Sequence, residues 1–505
     1  MAFPGQNVGR RRLPAGISGA SAILAAALSG AALWSWLCLP GAIAGSGGRS
    51  PHRAPAAVPE SPPADNAVSR VVTAWLKHPL LQQSEIGVEV LELPSGRVLY
   101  SLNGSRRFTP ASTAKIFTTA CALETMGQDF RYHTRLEAYG PVRNGRLDGD
   151  LVLVPSQDPT FESRDLWELL SVLGQKKIKA VEGRVILSPV AGGRDQFNTG
   201  WLLEDWGQEW MPVSSNLVLD RNIAPGKDPG RGLPVDDRRA GEPNTLIESL
   251  LSSSLAPAWV SLDPASRKVR VHRGGSPAVS SAGSLVVANP CDYNLAAVAS
   301  VLKGMGIRVN GHAPLLPDSK QPVPLSEHVS QPVTEIIRQC LKDSDNLYAQ
   351  QLLRTIGAKT RAETTPDAVS LEDSGLACLG AWLAGIGVRQ SDVVLVDGCG
   401  LSRKDCVTPH ALNLVLKHMA GPDLAGTYLG LLRLEGNKAG WFRSKTGAMD
   451  CVRSVAGIMH TAGGGNLAVT VMVNGHTPSV GPLRSAILEL TGRLESLPLL
   501  KSPAG

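Results

Sequence analysis

Hydrophobic and polar positions along the chain fall into stretches of two periods. Val68–Leu76 carries apolar residues at helical spacing. Gly87-Val88-Glu89-Val90-Leu91-Glu92-Leu93 alternates, Pro94-Ser95-Gly96 supplies a turn, and Arg97–Tyr100 runs back, which predicts a β-hairpin. From Ser112 to Met126 the apolar positions Ile116, Phe117, Ala120, Leu123 and Met126 fit a buried helix that Gly127 stops. Helical spacing returns over Val333–Gly357 and Gly375–Gly387. Strands are predicted over Val452–His460 and Leu467–Val473, either side of a Gly463-Gly464-Gly465 turn, and a helix near Arg484–Arg493. There is no internal repeat.

Between about 130 and 325 the texture is short strands and turns with Gly and Pro throughout, which reads as an insertion of one or two small β-rich subdomains. The flanking parts then form one α/β (α+β) domain, an antiparallel sheet whose strands come from both ends of the chain, with helices packed on it. The expected boundaries are 67–130 together with 326–495 for this domain and 131–325 for the insertion.

The N-terminal segment follows a different logic. After Arg10-Arg11-Arg12, no charged residue occurs from Ile17 to Ala44, and Ala42-Ile43-Ala44 offers a small-x-small cleavage site. Residues 1–44 are expected to be an export signal cleaved before Gly45 or, since about 20 apolar residues span a bilayer, a retained anchor. Either reading puts the remainder outside the cytoplasm, in the periplasm or at the outer face of the cytoplasmic membrane. Residues 45–66, rich in Pro, Ala, Ser and Gly, read as a linker.

A length of 505 residues allows about three domains. The formal charge of +6 drops to about +3 once the three N-terminal arginines are removed, far from the footprint of a nucleic-acid binder. Eight scattered cysteines include no CxxC pair, and no HExxH, P-loop or Rossmann glycine pattern occurs, so neither a metal nor another cofactor is expected. Cys399 and Cys406 are close enough to close a small loop, and free buried thiols are the other reading.

Three short boxes carry the candidate chemistry: Ser112-Thr113-Ala114-Lys115, Ser344-Asp345-Asn346 and Lys445-Thr446-Gly447. Ser112 follows Pro110-Ala111 at a helix start, where the helix dipole favours negative charge. Three residues on, Lys115 shares its face, and a lysine held away from water beside other cations can act as base toward a serine. Ser300-Val301-Leu302-Lys303 has the same spacing but no such setting, because Leu295–Leu302 reads as an ordinary apolar helix. Ser344 and Asn346 offer a hydroxyl and an amide for relaying a proton and gripping a substrate amide; capping a helix is their other use. Lys445 and Thr446, placed just before a predicted strand, suit a carboxylate, and Gly447 admits a close backbone.

In that order, the boxes are those of serine β-lactamases and penicillin-binding proteins. With Thr109–Ala120, Gly149-Asp150-Leu151, Asp158-Pro159-Thr160 and Asp397-Gly398-Cys399-Gly400-Leu401-Ser402-Arg403, the chain resembles the class C low-molecular-mass penicillin-binding proteins, D-alanyl-D-alanine carboxypeptidases/endopeptidases, from about residue 85 to 475. The long interval from Ser112 to Ser344 fits that family and not class A β-lactamases. The resemblance implies a transpeptidase-like domain acting on peptidoglycan stem peptides and acylated by β-lactams. By it, Ser112 attacks the D-Ala carbonyl, Lys115 takes its proton, and Ser344 helps protonate the leaving D-alanine. Asn346 binds a peptide amide, Lys445 and Thr446 the carboxylate, and the backbone N–H groups of Ser112 and Ala448 form the oxyanion hole. Asp158 and Arg403 read the stem peptide's side chain. Cys399, where the family has Ser, and Gln350, where an acid is common, depart from the pattern. The alternatives are an impaired cell-wall scaffold, or a β-lactamase or esterase on the same fold.

Overall fold

The computed structural model describes residues 66–499, apart from 195–197, 199, 203–204, 206–207, 212, 225–257, 263–268, 274–284, 288, 314–320, 436–439 and 477–479. The expected export segment and nearly all of the linker lie outside the described residues. Among the described residues no helix is long and apolar enough to cross a membrane, and the seven cysteines there are all free, Cys399 and Cys406 included.

A six-stranded antiparallel sheet draws on both ends of the chain, in the order Arg433–Glu435, Trp441–Met449, Val452–His460, Asn466–Asn474, Glu85–Leu93, Val98–Leu102. The hairpin is where alternation predicts it, and Glu85–Leu93 pairs along its whole length with Asn466–Asn474. Both sheet faces are covered. On one, helices Ala67–Trp75 and Val480–Glu495 bury Val72, Trp75, Leu483 and Leu490 against Val88, Val90, Val469 and Val471. Trp75 Nε1 fixes the two helices by donating to Ala486 O at 2.8 Å. On the other face, helices Lys115–Met126, Asn346–Thr360 and Pro409–Met419 pack against Leu91, Ala456, Ala468 and Met472. This is the expected mixed α/β architecture, an antiparallel sheet between helical layers.

The intervening region builds two further sheets. One runs Val323–Val329, His133–Tyr139, Asp150–Val154, Ala180–Leu187, Arg146–Leu147, Val142–Arg143, with Arg308–Ala313 also on Ala180–Leu187; the other has four short strands. The first extends past residue 325, because Val323–Val329 pairs with His133–Tyr139; Pro324 is tolerated there as this is an edge strand. The region also holds helices Ser163–Gln175 and Pro290–Gly304, so it is less purely β than its texture implies. Ser300 lies inside the second helix.

The helix read across Val333–Gly357 is two helices, Val333–Asp343 and Asn346–Thr360, broken at Ser344, whose φ of 59° is left-handed. The second is tied to the insertion by Arg354, which is fully buried: Nη1 donates to Glu372 at 2.6 Å and to Arg194 O at 2.9 Å, and Nη2 to Asn216 Oδ1 at 2.8 Å. Truncating one partner of such a pair strands the other charge in a medium that cannot solvate it. Arg354→Ala is therefore expected to lower unfolding free energy by about 3–5 kcal/mol in urea titration, and Arg354→Met paired with Glu372→Leu by less than Arg354→Ala alone.

Candidate active site

The turn that presents Ser112 is held in a sparsely populated backbone state. Ala111–Ala114 is a 3₁₀ turn, not the first turn of the α-helix, which starts at Lys115. Ala111 has a φ of 49°, a conformation costing about 1–3 kcal/mol for a residue with a Cβ. Its surroundings leave no alternative. Pro110 O accepts from Thr113 Oγ1 at 2.7 Å and from Ser454 Oγ at 2.5 Å, sewing the turn to strand Val452–His460. A Cβ on Gly447 would stand 2.6 Å from Pro110 O, and one on Gly400 1.9 Å from Ala111 O. Gly447 is thus needed for the protein's own turn to pack against its strand. The box Lys445-Thr446-Gly447 lies inside strand Trp441–Met449, not before one. Arg433–Glu435 pairs only with Phe442–Ser444, so among the described residues Lys445–Met449 forms an open strand edge, the kind an extended peptide can extend.

Lys115 is fully buried, and its Nζ has three neighbours: Ser112 Oγ at 2.9 Å, Asn346 Oδ1 at 2.6 Å and the carbonyl of Cys399 at 2.8 Å. Two of these atoms can only accept. The Ser112 hydroxyl, which accepts from Nζ here, is the only one of the three that can also give up a proton, so it alone can pass one to Lys115. The Cys399 carbonyl is aimed by Asp397, a fully buried carboxylate. It accepts from the backbone N–H groups of Cys399 at 2.8 Å, Gly400 at 2.6 Å and Ser402 at 2.8 Å, and from Trp201 Nε1 at 2.8 Å. Gln350 Oε1 accepts from Gly398 N at 2.5 Å in the same loop. The two departures from the resembled pattern therefore both serve this loop. The Cys399 side chain is buried and burial pushes its thiol well above the ordinary value; its backbone is what meets Lys115.

Lys445 Nζ donates to Ser344 Oγ at 2.9 Å and to Thr446 O at 2.7 Å. Burial, and then the charge of Lys115, push its amine down to about 7. The helix cap in the second box is Asp345, which accepts from Tyr348 N at 3.1 Å and pairs with Arg221; Ser344 and Asn346 are left for the cleft. Asn346 Nδ2 donates to Trp210 O at 2.6 Å, so both ends of its amide already have partners.

Ser112, Ser344, Asn346, Arg403 and Ala448 line one cleft of about 430 Å³. Thr446 lines an adjoining recess that shares Ala448 and Arg453 with this cleft. Asp158 is not brought to the cleft. Its Oδ1 accepts from Thr160 N at 2.8 Å and Thr160 Oγ1 at 2.6 Å, closing its own Asp-Pro-Thr turn, and Oδ2 faces His328 Nε2 at 3.6 Å. Sequence reasoning quoted Asp397 in a matched stretch without giving it a role, and passed over Ser454, Trp210 and Arg453. Asp397 with Gly398 and Gly400 after it, an acid opening a run of turn residues, was the one available signal.

The profile of the D-Ala-D-Ala carboxypeptidase 3 (S13) family matches residues 68–492. A D-alanyl-D-alanine carboxypeptidase from Actinomadura sp. is 27% identical over 469 residues, covering 82% of each chain. The D-alanyl-D-alanine carboxypeptidase DacB of Haemophilus influenzae is 25% identical over 438 residues, covering 81% of this chain and 89% of its own. The crystal structure of penicillin-binding protein 4 (DacB) from H. influenzae superposes with a TM-score of 0.66 at 22% identity, covering 85% of this chain and 98% of that one.

Proposed function

Since this chain belongs to the D-Ala-D-Ala carboxypeptidase 3 (S13) family and is a D-Ala-D-Ala carboxypeptidase of the class C penicillin-binding type, we propose that it cleaves peptidoglycan stem peptides through an acyl-enzyme on Ser112. The observation that carries this is the placement of Lys115 Nζ, in hydrogen-bond range of Ser112 Oγ and, on its other sides, of two oxygens that can only accept. Ser112 Oγ attacks the carbonyl of the penultimate D-Ala as its proton passes to Lys115. The N–H groups of Ser112 and Ala448 receive the oxyanion. Ser344, supplied by the Lys445 ammonium 2.9 Å away, gives a proton to the leaving nitrogen, and water then releases the acyl group. Asn346 positions Lys115; to grip a substrate amide it first exchanges the Trp210 carbonyl for that amide. Thr446 and Lys445 flank the path of the leaving carboxylate, and Arg403, at the cleft wall, faces the stem peptide. β-Lactams acylate the same serine. The enzyme works outside the cytoplasmic membrane, in the periplasm or at the membrane's outer face, with residues 17–44 as its export signal or anchor.

The test is incubation with fluorescent penicillin, peptide mapping of the adduct, and an assay of D-alanine release. A stable adduct on Ser112 with D-alanine release is expected. A folded sample without an adduct points to a scaffold, and rapid loss of the adduct to a β-lactamase.

Lys445 adds a pH signature. Its folded pKa of about 7 lies below the ordinary lysine value of about 10.4, so the folded state binds fewer protons between the two. The cost of burying the ammonium is present in full below about 7 and is relieved as pH rises toward the unfolded value. Proton supply through Ser344 needs the ammonium. On the alkaline side kcat/KM should fall about tenfold per pH unit above the free-enzyme pKa, without loss of folded protein by circular dichroism. A kcat/KM that stays level from pH 7 to 9 removes Lys445 from the proton path.

A further inference from the structure

Arg453 is the second residue of strand Val452–His460 and is only 8% exposed, yet among the described residues its hydrogen-bond partners are backbone carbonyls and no carboxylate. Its Nη1 donates to the carbonyls of Val452 at 2.9 Å and Met449 at 3.4 Å, bracing a turn in which Cys451 has a φ of 59°. The Nε/Nη2 edge of the guanidinium, the fork that matches a carboxylate, is not used by that turn. Burial acts against its charge and only Asp450, itself exposed, offsets this. A guanidinium at the wall of the cleft, with a free fork and no counter-ion among the described residues, is a ready partner for a carboxylate that enters.

Its position says what arrives. Arg453 lines the cleft that holds Ser112 and also the adjoining recess that Thr446 lines. In the sheet register it stands opposite Ala448, and directly paired residues lie about 4.5–5.5 Å apart. In a substrate ending in D-alanine, the carboxylate is one residue beyond the carbonyl that Ala448 N–H would polarise, a reach of about 3.6 Å. The other cleft cations are committed elsewhere: Lys445 contacts Ser344 and Thr446 O, and Arg403 Nη1 donates to Asp450 O at 2.7 Å.

Resting on the acyl-enzyme reading above, we propose that Arg453 docks the free carboxylate of the leaving D-alanine and thereby sets the preference for an unblocked chain end. Its charge does not fade in the range where Lys445 titrates, so carboxylate recognition outlasts proton supply as pH rises.

The test compares a peptide ending in D-Ala-D-Ala with its C-terminal amide, on the wild type, Arg453→Met and Arg453→Lys. In Arg453→Met, kcat/KM for the free acid should fall about 10–100-fold, the scale of a charged hydrogen bond, through KM more than kcat. The amide should change less than about threefold, and Arg453→Lys should recover part of the preference for the acid. If acid and amide fall together, Arg453 only shapes the 449–452 turn and the proposal is wrong; if neither changes, it is wrong as well. Endpoint penicillin labelling of Ser112 in Arg453→Met is read alongside. Its persistence with an unchanged acid-to-amide ratio overturns the role of Arg453 alone, whereas a wild type without an adduct overturns the acyl-enzyme reading itself.

Discussion

Ser112→Ala should abolish covalent labelling by penicillin and reduce D-alanine release by about 10⁶-fold, while Ser300→Ala leaves both unchanged. The two serines share a Ser-x-x-Lys spacing, so the contrast isolates what surrounds them. Ser112 stands on a strained turn with its hydroxyl 2.9 Å from the buried Lys115. Ser300 lies within helix Pro290–Gly304, and Lys303 is exposed in the last turn of that helix. Removing the Ser112 hydroxyl deletes the atom that forms the acyl bond. No base or oxyanion donor can substitute for it, which is why the effect should exceed that of any other single change in the cleft. Removing the Ser300 hydroxyl should alter stability by no more than about 0.5 kcal/mol. Intact-mass measurement after penicillin treatment reads both variants directly. A labelled Ser112→Ala protein, or an unlabelled Ser300→Ala protein, would move the nucleophile elsewhere.

What could be read from sequence, and what could not, divides along the range of the interactions. The hairpin at 85–102 and the strands at 452–474 follow from alternation, a local property, and their pairing into one sheet follows because each has apolar residues to bury on both faces. Ser112 and Lys115 are one turn apart, so their meeting needs no knowledge of the fold. The remaining parts depend on long-range packing. The third neighbour of Lys115 is a carbonyl, an atom that every residue has, and only the loop held by Asp397 gives it direction. Gly447 looked like room for a substrate backbone, but the carbonyl it admits is that of Pro110, from the opposite end of the chain. Asp158 matched a motif, yet an Asp-Pro-Thr sequence closes a local turn whether or not a ligand is near. Arg453 gave no signal because an arginine is by default a surface residue, and its burial appears only when the 449–452 turn folds.

Lys115→Met should lower the second-order rate of acylation by penicillin by about 10²–10⁴-fold, the range ascribed to a positioned general base, with Ser112 still in place. Methionine roughly conserves the volume of the lysine stem but returns nothing to the oxygens around it. The buried Cys399 carbonyl loses its Lys115 contact, at about 1–3 kcal/mol for an oxygen left unpaired, while Asn346 Oδ1, at the cleft wall, loses its contact where water can reach it. The variant should therefore be both slow and less stable. The two effects separate in their temperature dependence: below the lowered melting point the folded fraction is complete, and the deficit in acylation must persist there. Arginine at the same position does not restore the rate, since a guanidinium has no lone pair to receive the Ser112 proton. A Lys115→Met protein that acylates within tenfold of the wild type, with its fold intact, would show that Ser112 loses its proton to another group. Lys445 is the amine next in line, with a pKa of about 7 and a direct contact to Ser344. In that event the alkaline fall in kcat/KM would turn into a rise, because a base, unlike an acid, gains competence as its proton leaves.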